Sequence, residues 1–444
     1  MHALRVLALL APLLGSCAGP SLGSRHQEQA DAWRRAAPLR SAPDDPFAGA
    51  ASLDRQALIA AVLARNPGIE AARWAWRAAL ARYPQAAALD DPMLAYTIAP
   101  ASAGAPGVDT GQVVTLSQAL PFPGKRALRG EAALAEAEAA ASDYAAVRLR
   151  LAMLASLLFD EAYLVERKLA VNEAHRTLLA ELRAMAVARY EAGAASQQDP
   201  LEAELEEAEL LHRDVALRAE REITREQINA LLHRAPELPL PPPPAVLDAR
   251  PPAVEARAAL EARALAERPE LRAAEARLAA REANVSLARR ESLPDLRLVG
   301  GYDTFEEDSR MRPMLGLELN LPLRRTRRAA ALDEAQAALE QARSERASLA
   351  DQVRLSVGRA LERLREAHHA LEIFRDRTLP AARDRVASAR AAFETGQSDF
   401  SSVIDAERRL RDAELGHEEA LVELSRRHAE LDRALGALPG GGLP

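Results

Sequence analysis

From Lys125 to Ala192 the chain runs for 68 residues with no proline and one glycine, Gly130. A helix of that length extends on the order of 100 Å, at about 1.5 Å per residue. No single compact domain can bury it. The run is entered through Val113–Leu120, which alternates like a strand, followed by Pro121, Phe122, Pro123 and Gly124. A second long run, Thr326 to Thr395, is entered the same way. There Leu315, Leu317, Leu319 and Leu321 take one face and Met314, Gly316, Glu318 and Asn320 the other, and Pro322 follows.

The design is written twice. Pro322 lies 201 residues after Pro121. "ARNPGIEAA" (64–72) matches "AERPELRAA" (266–274) at a shift of 202, and "YEAGAASQQDPLEAE" (190–204) matches "FETGQSDFSSVIDAE" (393–407) at 203. Three anchors with nearly equal shifts mark an internal repeat. The reading divides the chain into a leader at 1–16, a loosely held tether at 17–50, repeat 1 at 51–238, a stiff proline-rich connector at 239–256, repeat 2 at 257–437 and a tail at 438–444. Each repeat begins with a helix of moderate length, Leu53 to about Leu80 and Ala258 to about Arg290. Two short alternating segments follow, the weaker ones marked by Leu94, Tyr96, Ile98 and by Leu296, Leu298. In the long helix of repeat 2, Leu332, Leu339, Leu349, Val353, Val357, Leu361, Leu364, Leu371 and Phe374 are spaced by sums of threes and fours, as a coiled-coil-like seam requires. Pro380 is expected to kink that helix about four turns before its end. Gly193 and Gly396 close the two long helices and permit a left-handed turn. A returning helix completes each half.

Composition supports long helices with narrow seams: 48% hydrophobic, much of it alanine, but only 4% aromatic. Arginine is interleaved with glutamate at a net charge of −7, so no basic stripe points to nucleic acid. At the N-terminus Arg5 precedes an apolar run, Val6–Leu14, too short for a permanent membrane helix. It ends in Leu14-Gly15-Ser16-Cys17, which resembles the lipobox of bacterial lipoproteins. Cys17 is the only cysteine and would be the lipidation site, with Ala18 after it favouring outer-membrane sorting by the same analogy. One lipid chain anchors reversibly, so a second membrane contact is expected.

Narrow seams need neighbours. The alternating segments have the length of membrane β-strands, about 8–10 residues, with one apolar and one polar face, as a barrel wall demands. Four strands cannot close a barrel, and an open edge cannot stand in lipid. Several chains must therefore share one barrel. The alternative is a pair of ordinary hairpins capping a soluble bundle.

The duplication, "SQALPFPGKRALRG" at the helix entrance and the two glycine motifs together resemble the TolC-like outer-membrane factors of efflux pumps and type I secretion systems. "TLPAARDRVASARAAFETGQ" and "PFPGKR" resemble the heavy-metal branch, of the CzcC and CusC type. The resemblance implies a mainly α fold with a small β part: a homotrimer in the cell outer membrane, its helical tunnel in the periplasm, with four strands per chain in a 12-stranded barrel. Pro121, Pro123, Gly124 and Pro322 would then turn the chain from barrel to tunnel. Tyr190, Gly193, Ser196, Phe393, Gly396 and Ser398 would form a periplasmic tip that meets an adaptor, itself joined to an inner-membrane pump of the RND type. Asp405 falls at the family's acidic aperture position, and Glu202, nine residues after Gly193 as Asp405 is after Gly396, is its repeat counterpart. Three copies of a carboxylate around a narrow axis would favour cations. Ser402 stands where the family carries a further acid.

The implied function is a passive conduit opened at its tip. A secretion duct and a non-conducting periplasmic adaptor or scaffold are the alternatives. No phosphate loop, nucleophile elbow or Cys/His cluster is present, so no enzyme, cofactor or resident metal is expected. The adjacent His368 and His369 diverge by about 100° on a helix and read as surface residues.

Overall fold

The computed structural model describes residues 20–36, 46–103, 110–247, 255–306 and 310–439. In chain order the elements are α1 (Pro20–Arg35), α2 (Arg55–Arg65), α3 (Pro67–Ala87), β1 (Met93–Ile98), β2 (Gln112–Leu120), α4 (Lys125–Glu191), α5 (Gln198–Leu231), α6 (Arg257–Glu267), α7 (Pro269–Arg290), β3 (Leu296–Asp303), β4 (Pro313–Leu319), α8 (Arg325–Ile373), α9 (Leu379–Glu394) and α10 (Phe400–Ala434). Two compact units divide them, and α4 and α8 run through both.

The first unit holds the four strands and the adjoining helix ends. The sheet is antiparallel throughout, in the order β1-β2-β3-β4, so the two repeats meet at the β2–β3 pair. The register sets Leu94 against Leu116, Val114 against Tyr302 and Leu298 against Leu317. The alternation read from sequence is thus realised in all four strands.

In this unit a segment expected to be a loose tether is in part a helix. Along α1, His26 stacks on Tyr83 at 4.6 Å and its Nε2 lies 3.2 Å from the Leu80 carbonyl oxygen. Trp33 Nε1 donates to the Arg73 carbonyl at 3.0 Å, and the Arg73 guanidinium lies 4.2 Å over the Trp33 ring. The docking rests on single aromatic and polar contacts with α3, not on an apolar period, which is why sequence patterning missed it.

The second unit holds the remainder of the long hairpins together with α2 and α6. The seam expected in repeat 2 is largely in place. Val353, Val357, Leu361, Leu364 and Leu371 are buried here, as is Leu339 in the first unit. Full burial of such a side chain contributes about 1.5–3 kcal/mol. Where a kink was expected, regular α-helix ends at Ile373, a π-turn occupies Phe374–Thr378, and α9 resumes with proline in its first turn. The π-turn presses the Phe374 ring onto Gly416, where an added Cβ would lie 2.5 Å from the ring.

The moderate helices opening each repeat are not continuous. Each is broken before its proline, at Asn66 (φ −69, ψ 121) and at Arg268 (φ −64, ψ 123). A residue before proline is driven out of the helical region, and the ring offers no N–H. The Asn66 side chain offsets the break by donating from Nδ2 to the Leu231 carbonyl and accepting from Gly68 N–H.

Arg55, at the start of α2, reaches a buried carboxylate of this unit. Its guanidinium donates to both Asp160 oxygens, at 2.6 and 3.1 Å, and to Ser156 and Ser425. Asp160 is fully buried. Burial pushes its carboxyl above the usual range, against the pull of Arg55 and Ser425.

Candidate functional site

Three features carry the function read from sequence: the sheet, its exits and the tip. In the sheet, residues directly opposite one another share a face. One face therefore presents Leu94, Tyr96 and Ile98 on β1, Val114 and Leu116 on β2, Leu296, Leu298 and Tyr302 on β3, and Leu315, Leu317 and Leu319 on β4. Among the described residues this face stands largely open: Leu315 is 80% exposed and Leu94 72%. The other face is mixed: Thr115, Ser117, Gly301, Gly316 and an Arg297–Glu318 ion pair at 3.6 Å stand beside Val113, Val299 and Met314. β1 and β4 each have one edge with no partner in the sheet. An apolar wall on one side, polar groups on the other and two open edges describe a fragment of a membrane barrel.

The exits of the sheet explain the proline knots. After Pro121, Phe122 N–H donates to Asp295 Oδ1 at 2.7 Å, and buried Lys125 Nζ reaches the same oxygen at 2.9 Å and the Leu293 carbonyl at 3.0 Å. The carbonyl of Pro123 accepts from Arg290 at 3.0 Å. Gly124 has φ +90, and a Cβ there would sit 1.5 Å from Arg290 Nη1, so only glycine fits. At the second exit Asn320 N–H donates to the Asp295 carbonyl, Pro322 follows, and α8 begins at Arg325. Asp295 serves both exits, a role not visible in the sequence because its partners lie up to 173 residues away.

At the tip the two glycine turns are the same structure. Gly193 (φ +72) donates to the Tyr190 carbonyl while Ala194 donates to Arg189. Gly396 (φ +75) donates to Phe393 while Gln397 donates to Ala392. This paired arrangement satisfies the last carbonyls of each helix and needs a left-handed residue. Tyr190 is 44% exposed, and Ser196 is exposed with its Oγ accepting from Gln198 N–H. Phe393 is not a surface group: it is 6% exposed, packs on Phe400 with ring centroids 5.5 Å apart, and carries Arg189 over its ring at 4.3 Å. Its place is in an apolar cluster with Leu182, Ala203, Val403 and Ile404. Ser398 is partly buried.

The two acids singled out by the repeat lie close together around Arg408. Asp405 is exposed and its Oδ1 lies 3.5 Å from Arg408 Nη1. Burial pushes the Glu202 carboxyl above the ordinary range, with neighbouring Asp405 and Asp199 adding to the effect and Arg408 opposing it. Arg408 also donates to buried Glu206 at 2.6 Å, which Arg411 reaches at 2.8 Å. Cys17 lies outside the described residues, as do 1–16 and 440–444. His368 and His369 both reach Glu372, at 3.4 and 3.1 Å. Among the described residues no group of three His, Cys, Asp or Glu side chains could hold a metal ion, and no helix is long and apolar enough to cross a membrane.

A two-faced sheet with open edges joined to paired helical hairpins defines the class: the fold of outer-membrane channels. Solved structures share it over most of the chain. The outer-membrane channel OprN is 22% identical, with a TM-score of 0.73 over 91% of this chain and 98% of that one. CusC is 18% identical, with a TM-score of 0.74 over 90% and 97%. VceC of Vibrio cholerae is 17% identical, with a TM-score of 0.73 over 86% and 96%. Among curated proteins none matches the chain in sequence. Residues 260–437 match the outer membrane efflux protein family. The chain thus has the TolC-like fold that its motifs suggested.

Proposed function

We propose that this chain is the outer-membrane duct of a tripartite efflux system, acting as a lipid-anchored homotrimer. The sheet carries the reading. Four strands with a bare apolar face and two unpaired edges find their missing partners in further copies, and three copies supply 12 strands. Cys17 would bear the lipid anchor. The tip turns at Gly193 and Gly396, with exposed Tyr190 and Ser196, would receive a periplasmic adaptor linked to an inner-membrane pump of the RND type. Asp405 and Glu202 would set a cation-preferring aperture. Opening would follow from helices shifting at the tip when the adaptor docks. Metal ions or small toxic molecules are the proposed cargo. The resemblance of "PFPGKR" and "TLPAARDRVASARAAFETGQ" to the heavy-metal branch favours metals.

The test is insertion and conductance in planar bilayers. Leu317→Arg puts a charge on the apolar face, at a cost of about 2–4 kcal/mol near the bilayer midplane, and should abolish insertion. Thr115→Arg, on the polar face, should insert and alter conductance. The opposite ranking would sink the proposal.

A further inference from the structure

The second unit contains a groove of about 440 Å³ whose chemistry the conduit does not use. Arg268 enters it from the break between α6 and α7, Arg359 and Arg363 from α8, Arg433 from α10, and Met153 from α4. The one acid among its lining residues, Glu430, is already engaged, both of its oxygens accepting from Arg427 Nη1 at 2.7 and 2.6 Å. Arg268 donates to Ser356 at 3.2 Å. Arg433 points Nη1 at the thioether of Met153 at 3.5 Å, a weak acceptor. Arg359 and Arg363 are exposed, are one helical turn apart, and have no ion pair among the described residues.

Two neighbouring arginines on this helix are paired locally. Arg354 donates to Asp351 and Arg365 to Glu362, at 2.7 and 2.8 Å. A solvated helix face built of such pairs does not account for Arg359 and Arg363, which enter a groove whose one acid, Glu430, is held by Arg427. The internal repeat supplies a control. At the equivalent positions repeat 1 carries Asn66, Leu158, Ala162 and Ala230, and none of the four is basic. The four arginines are thus an addition of repeat 2.

We propose that this groove binds a compact polyanion carrying at least two phosphate or carboxylate groups. Planar guanidiniums match such oxyanions through paired N–H donors, and Arg359 and Arg363 at i and i+4 present two of them side by side. The Met153 thioether and the alkyl stems of the arginines give the ligand's carbon skeleton an apolar floor. The inference does not depend on the conduit reading.

Calorimetric titration of the full-length, detergent-extracted protein with inorganic pyrophosphate and with citrate, at low salt, tests it. Binding is expected, weakened roughly tenfold or more in Arg359→Gln/Arg363→Gln. The same charge loss in Arg354→Gln/Arg365→Gln should leave it unchanged. Micelles doped with cardiolipin, which carries two phosphates, or with phosphatidylcholine form the second arm. Thermal protection by cardiolipin alone, lost in Arg359→Gln/Arg363→Gln, would assign the same oxyanion chemistry to a lipid headgroup. Absence of binding in both arms overturns the proposal, as does equal weakening by the two double variants. Dissociation of the Arg359→Gln/Arg363→Gln protein into smaller assemblies also overturns it, because the guanidiniums would then be facing carboxylates of a second copy.

Discussion

Arg411 and Glu206 stand 205 residues apart in the chain and meet as a buried pair, Arg411 Nη1 donating to Glu206 Oε1 at 2.8 Å with side-chain exposures of 6% and 5%. The bond ties the returning helix of one repeat to that of the other just above the glycine turns. Glu206→Ala would leave buried Arg411 with only the exposed Asp412 carboxylate at 3.3 Å, at a cost of up to about 3–5 kcal/mol. Hydrogen exchange should speed up in α5 and α10 next to the turns, and the resting conductance of the channel should rise. Unchanged exchange in both helices would show that the pair does not hold the tip together.

The acids at Glu202 and Asp405 give a pH dependence with a definite sign. Burial raises the Glu202 carboxyl above its ordinary value of 4.5, and Asp405 raises it further. Cation preference that rests on Glu202 is complete where that carboxyl is ionised and declines as pH falls through its raised value. Reversal potentials in salt gradients should therefore lose cation preference with a midpoint above 4.5. In Asp405→Asn the preference should be smaller at neutral pH and its midpoint lower, because a charge that opposed Glu202 ionisation is gone. A midpoint unmoved by Asp405→Asn would separate the two groups.

Asp160 and Arg55 test the second unit. Asp160→Ala leaves the Arg55 guanidinium with only hydroxyl partners and should destabilise by about 3–5 kcal/mol. Arg55→Met with Asp160→Leu removes both charges and should recover most of that loss. The pH sign follows from the raised Asp160 carboxyl: the increment of stability that comes with its protonation is full below the unfolded value of 3.8 and is lost as pH rises through the folded value. Chemical unfolding of the two variants side by side is the check. A double variant as unstable as Asp160→Ala would mean that packing, not the orphaned charge, sets the cost.

Much of this architecture is local and so was legible. The seam from Leu339 to Leu371 follows from period, the strands from alternation, and Gly193 and Gly396 from the need for a left-handed residue. The helix breaks at Asn66 and Arg268 are also local, since the proline after each forces the preceding residue to extend, but the amphipathic pattern continues across them and hides the break. Other features are long-range. Nothing near Phe393 says that its ring folds back under Arg189 and Phe400, so a residue in a surface motif proves to be core. Asp295 anchoring two exits, Glu206 paired with Arg411, and α1 docked through His26 and Trp33 are likewise pairings across distant segments, which no periodicity encodes.

The repeat offers a stability comparison at the ends of the returning helices. Gly436 (φ +83) and His233 (φ 54) occupy the same left-handed cap, with Gly436 donating to Arg433 and His233 to Ala230. A side chain in that region costs about 1–2 kcal/mol, of which glycine returns part through its freer unfolded state, about 0.5–1 kcal/mol. His233→Gly should therefore stabilise by roughly 0.5–1 kcal/mol. Gly436→Ala should destabilise, as its Cβ would also press on the Glu267 and Arg268 backbone at 3.2–3.3 Å. Denaturant midpoints shifting the other way would remove the cap argument.

The central claim is that copies of this chain pool their strands to enclose one pore. The mass of the detergent-extracted particle, measured by light scattering with the detergent contribution subtracted, addresses it most directly. Three chains per particle are predicted. A particle containing a single chain, with β1 and β4 left unpaired, would contradict the account.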